Sequence, residues 1–104
     1  MAQFDAHENL NLETQQLVPY LLNVQADLLD GLRTRMVVPL LTLSGVGSPI
    51  GHLNPQFKIK RISVVMATAE MAGVDLHILG EKVCSLQDRR NDIIAALDFL
   101  FSGY

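Results

Sequence analysis

From Tyr20 the chain alternates strictly. The segment "YLLNVQADLL" places Tyr20, Leu22, Val24, Ala26 and Leu28 on one side and Leu21, Asn23, Gln25, Asp27 and Leu29 on the other. A period of two predicts a half-buried strand. Asp30-Gly31 is a turn signal, and "RTRMVVPLLTL" resumes the β pattern through Met36, Val37 and Val38, so the two segments should pair as an antiparallel hairpin. Pro39 has no N–H and limits which edge of that strand can be hydrogen-bonded. Upstream, a short strand is expected over Gln3 to Ala6, and residues 5 to 16, rich in Asn, Glu, Gln and Asp, read as a loop. Downstream, "SGVGSPIGHLNP" (44 to 55) reads as irregular. "QFKIKRISVVMATAEM" returns to strand with a tight reversal at Lys60-Arg61, and "GVDLHILG" gives one more short strand closed by Gly80.

The end of the chain has a different period. Ser85 precedes Asp88 by three residues, which suits an N-cap with an acidic first turn, and Leu86, Ile93, Ile94, Leu97, Leu100, Phe101 and Tyr104 recur at helical spacing. A single amphipathic helix should therefore close the protein, with Gly103 at its C-terminal cap. Phe99 falls off the apolar stripe, so an aromatic of the final "FLFSGY" is left over for a partner.

Composition sharpens this picture. At 104 residues, residues 1–104 form one domain, and 49% hydrophobic against 18% charged residues is more apolar surface than so small a body hides, which points to a homo-oligomer. The net charge of −3, with no basic cluster beyond Lys58, Lys60 and Arg61, argues against phosphate-backbone binding as the main activity. Cys84 is the single cysteine, which leaves no intrachain disulfide and no cysteine-based zinc site. The polar start "MAQFDAHENLNLET" lacks the plan of a signal peptide, and no window has the length of a membrane span, so a cytoplasmic protein without a membrane partner is expected.

Catalytic patterns are sparse. His7, His52 and His77 are too dispersed for a metal site, and Cys84 has no neighbouring base to activate it. Asp27 and Asp30 read as a solvated hairpin end, and "GVGSPIG" lacks the strand-to-helix context of a phosphate loop. Arg89 and Arg90 should pair with Asp92 or Glu81, or with a partner. Neither a cofactor nor a metal is expected, and the residues alone indicate an interaction protein.

The ordered set "NVQADLLD", "RTRMVVPL" and "MATAEMAGVDLHILGEKVCSLQDRRNDIIAALDFLF", with "QF" at Gln3 and Phe4, closely resembles the CcdB family. That family is the toxin half of a bacterial toxin–antitoxin pair. The similarity runs from Tyr20 to the C-terminus and is least at residues 8 to 18. It implies a mainly β fold, an SH3-like barrel of CcdB/MazF type with a twisted antiparallel sheet, a small extra sheet and one C-terminal α-helix. It further implies a homodimer that binds the A subunit of DNA gyrase, traps the enzyme on cleaved DNA and blocks replication. A cognate antitoxin neutralises such toxins, and the pair autoregulates its transcription, so DNA is met only indirectly.

The gyrase-binding residues implied by the resemblance are Leu28, Leu29, Phe101, Ser102, Gly103 and Tyr104. Ser102 and Tyr104 stand where the family has tryptophan and isoleucine, Leu28 and Leu29 replace an isoleucine pair, and Asp98 replaces an asparagine. A second expectation follows from Ser102: a homologue with lost or altered gyrase binding, serving as an antitoxin-binding protein or acting on another target. A third is ribonuclease activity, as in MazF- and Kid-type toxins of the same fold, for which Arg35, Arg61 and His77 are the loose candidates.

Overall fold

The alternating segment at Tyr20 builds β2 (Tyr20–Asn23), in the middle of the sheet that makes up most of the molecule. The computed structural model describes residues 1–45 and 47–103. Within them lie β1 (Asp5–Asn9), β3 (Thr34–Thr42), β4 (Gln56–Ile59), β5 (Ile62–Met66), β6 (Ala72–Asp75), β7 (Leu79–Ser85) and the helix α1 (Arg90–Ser102). The sheet order is β4-β5-β3-β2-β1-β7, every pairing is antiparallel, and β6 joins β3 beyond the end of β5. This is the expected mainly β architecture, a half-barrel with one C-terminal helix, and β6 is its small extra element. None of the helices among the described residues is long and apolar enough to cross a membrane.

Period-two patterning explains which face is filled. Tyr20, Leu22 and Val24, Val38 and Leu40, Phe57 and Ile59, and Val64 and Met66 all turn into one core with Phe4, Ala6 and Leu86. Ile93 and Ala96 of α1 cover it. The opposite face has a smaller cluster of Leu21, Val37 and Leu79. Burial on both faces leaves β2 without the polar side that its sequence suggested, and Asn23 compensates by donating to the Ala2 carbonyl and accepting from Gln25 N–H.

The β2–β3 hairpin forms in the expected register, Tyr20 opposite Leu40 and Asn23 opposite Val37, but its connection is long. Val24 N–H still reaches the Met36 carbonyl at 3.0 Å. At the next step the Gln25 side chain, not the backbone, accepts the Met36 N–H at 2.9 Å. The main chain is thereby released into a 3₁₀ turn, Asp27–Leu29, so Ala26 and Leu28 are not strand residues on a buried face, as the alternation predicts, but exposed. Pro39 lies where β5, which pairs with Leu40–Thr42, has ended and β6, which pairs with Thr34–Val37, begins. Its missing N–H leaves no gap in either ladder.

Lys60 and Arg61 make the predicted reversal, both with left-handed backbone (φ 49° and 69°), between the paired Ile59 and Ile62. That region costs a non-glycine residue roughly 1–2 kcal/mol. Three expectations are corrected. The first strand is Asp5–Asn9 rather than Gln3 to Ala6, so the loop expected from residue 5 begins only after Asn9. Asn9 also fastens the following loop by donating to Thr14 Oγ1 and the Val18 carbonyl. The segment 72–85 holds two strands, not one closed by Gly80: Asp75 caps a 3₁₀ turn at Leu76–Ile78, and β7 then passes through Gly80. Glycine is required there because a Cβ would meet the Glu8 backbone oxygen and Cβ at 2.9 Å. Ser85 ends β7 and accepts from Gln87 N–H, so it stabilises a 3₁₀ turn over Gln87–Arg89 rather than capping α1 itself.

Candidate partner-binding site

The helix that carries the apolar ending is seated by Ile93, Ala96, Leu97 and Leu100, which at about 100° per residue span one narrow arc. Phe99 and Phe101 flank that arc on opposite sides. Phe99, expected to face away from the protein, is half-buried with its ring 6.3 Å from the His52 ring. Phe101, expected in the buried stripe, is 71% exposed. Ile94, in nearly the same angular sector two turns earlier, is only half-buried, so Phe101 lies at the margin of the buried arc and, on the last turn, outside it. The leftover aromatic is Phe101.

Gly103 ends the helix as predicted. Its φ of 77° is left-handed, and its N–H donates to the Phe99 carbonyl at 2.9 Å, a closure that glycine makes without strain. Ser102 is exposed on the last turn, and Tyr104 lies outside the described residues. Among the described residues the end is thus a capped stub with one large apolar side chain in solvent.

Leu28 and Leu29 occupy the 3₁₀ turn after β2, 93% and 48% exposed, with Leu32 and Met36 also exposed close by in sequence. Polar side chains hold this knuckle in place. Asp27 Oδ1 accepts Gln3 N–H at 2.7 Å, and Gln25 Nε2 donates to the Leu29 carbonyl at 2.9 Å. Arg35, buried to 4% exposure, donates to the carbonyls of Asp30, Leu32 and Thr34 at 2.7–2.9 Å. Four exposed apolar residues on a hydrogen-bonded frame resemble the core of a protein interface more than a fraying loop. Leu28–Leu29 and Phe101–Gly103 are anchored by different parts of the fold, and no hydrogen bond among the described residues joins the two surfaces.

The remaining candidates disperse. His7 is buried in β1 with Nδ1 3.1 Å from the Gly80 carbonyl, whereas His77 is exposed on a 3₁₀ turn. Arg35 spends its terminal nitrogens on its own loop, Arg61 lies exposed in the β4–β5 turn, and no hydrogen bond or ion pair among the described residues joins Arg35, Arg61 and His77. Cys84 sits half-buried on β7; burial, then the neighbouring Asp5 carboxylate, push its thiol up against the opposing pull of Lys82, which leaves a weak nucleophile near neutral pH. Arg89 pairs with Asp92 at 2.9 Å as expected and lies 4.8 Å from the Phe57 ring centre. No cluster of three or more His, Cys, Asp or Glu suited to a metal ion occurs among the described residues.

Gln25, Asp27 and Arg35, the frame under the leucines, escape sequence reasoning because each acts through backbone carbonyls or amides that no spacing rule marks. Compared with known families, the chain matches one described as CcdB protein over residues 3–103, which covers the sheet, the knuckle and the helix end alike.

Proposed function

The chain belongs to the CcdB family, the toxin component of toxin–antitoxin systems, and on that premise we propose that it binds the A subunit of DNA gyrase. It holds gyrase on cleaved DNA by contact alone, in the cytoplasm, until a cognate antitoxin occupies it. The observation that carries this reading is Phe101, 71% exposed at the end of a helix closed by Gly103. An aromatic fixed in solvent is the kind of residue that anchors an interface. Leu28 and Leu29 supply a second apolar contact, and Ser102, Gly103 and Tyr104 complete the first. The protein acts as a homodimer, which presents two helix ends to a two-fold partner and covers part of its apolar surface.

Purified gyrase A should be retained by the immobilised protein, and with gyrase and plasmid DNA the protein should accumulate cleaved DNA. Robust growth of a gyrase-sensitive host at high expression, without a DNA-damage response, would remove this reading. Ser102 favours a second one, a toxin homologue whose gyrase contact is lost or altered and which serves as an antitoxin-binding protein or acts on another target. Ser102→Trp decides between them: gyrase binding that appears only in the variant assigns the native chain to the second reading.

A further inference from the structure

The β4–β5 hairpin has no place in that reading, yet it concentrates positive charge. Lys58, Lys60 and Arg61 are three of the eight Lys and Arg residues of a chain with net charge −3. All three are exposed. Among the described residues the ion pairs are Lys82–Asp5 and Arg89–Asp92, so none of these three cations is neutralised by a carboxylate. Lys58 stands opposite Ser63 on the outer face, while Phe57 and Ile59 point inward and hold the strand to the core.

The turn itself adds a second observation. A two-residue hairpin loop with both residues left-handed suits Asn-Gly, which adopts that backbone with little strain. Here Lys60 (φ 49°) and Arg61 (φ 69°) occupy it instead. The left-handed backbone closes the hairpin, but neither side chain packs in the core, so the use of Lys and Arg where Asn-Gly would be unstrained points to a use for the side chains themselves. We infer that the tip formed by Lys58, Lys60 and Arg61 is a separate binding surface for the phosphate backbone of nucleic acid. Lysine is depleted from protein–protein interfaces, whereas Lys and Arg dominate phosphate contacts. A fixed turn also presents the charges with little ordering cost. The contact is independent of base sequence and of gyrase, and supplements the apolar surfaces rather than replacing them.

The test uses a short labelled DNA duplex and the full chain, titrated by fluorescence anisotropy. Three phosphate contacts give a log–log salt slope near −2.7, so affinity should fall about 40-fold between about 50 and 200 mM salt. The double substitution K60N/R61G should weaken low-salt binding and reduce that fall to about fourfold, the share of one remaining contact. The same variant should melt about 4–8 °C higher, because it relieves the turn. Loss of binding together with a higher Tm excludes misfolding as the cause. Absence of duplex binding by the native chain at low salt, or equal affinity and slope in the variant, would overturn the inference. So would tighter binding of polyglutamate than of DNA through the same residues, which would assign the tip to an acidic protein.

Discussion

Truncation of Phe4 to alanine should lower the folding free energy by roughly 3–5 kcal/mol, a large share of the ~5–15 kcal/mol typical of small domains. The Phe4 ring is fully buried in the main core, beside strands from both halves of the sheet. Its backbone is equally committed. The N–H donates to the Asn23 carbonyl at 2.6 Å, and the carbonyl accepts Leu86 N–H at 2.8 Å, which joins the end of β2 to the entry of the helical segment. A positive φ of 69° at so bulky a residue is otherwise rare, and here it lets the ring enter the core while both backbone groups bridge their neighbours. Urea denaturation of Phe4→Ala and Phe4→Leu measures the effect, with the leucine variant losing much less. A loss below about 1 kcal/mol for the alanine variant would contradict the packing described.

Phe101→Ala should do the reverse. With its ring largely in solvent, stability should change by less than about 0.5 kcal/mol, while affinity for gyrase A should fall by ~2 kcal/mol, or thirtyfold. Titration calorimetry and a melting curve on the same preparation separate the two quantities. Unchanged affinity would remove Phe101 from the contact, and the proposed site would then rest on Leu28 and Leu29 alone.

These two phenylalanines show where the sequence was informative and where it was not. Alternation marked the inward residues of β2 to β5, with the reversal at Lys60-Arg61 where the two strand patterns meet, and the cap at Gly103 followed from helix-end chemistry. What could not be seen were substitutions of side chain for backbone. Gln25 accepts the Met36 N–H that a continuing strand would have accepted through its own carbonyl, so an alternation reaching Leu29 ended four residues into the strand. β7 was missed for a related reason: Glu81, Lys82 and Ser85 are exposed on an edge strand, and its pairing with β1 is irregular around His7. The helical stripe failed by a smaller margin. Ala96 is fully buried but too small to register as an anchor, and its inclusion turns the buried arc toward Phe99 and away from Phe101. Resemblance alone named Leu28, Leu29 and Phe101 for the proposed contact, whereas their exposure and the polar frame beneath the leucines required the three-dimensional structure.

Pro39 carries a consequence for how the sheet breathes. One edge of β3 is shared by two partners, and the residue between their territories can donate no hydrogen bond. At the junction the Pro39 carbonyl is held by Ala67 N–H at 2.9 Å, so β6 can unzip from Thr34–Val37 without breaking the bonds of Leu40–Thr42 to β5. β6 is largely exposed, and the turn that follows it is short. Amide protons of Ala72–Asp75 should exchange through a local opening of low free energy, while those of Val64–Met66, buried on the far side of the proline, wait for global unfolding. A single imino acid in a central strand thus marks where one edge of the sheet passes from a buried partner to an exposed one.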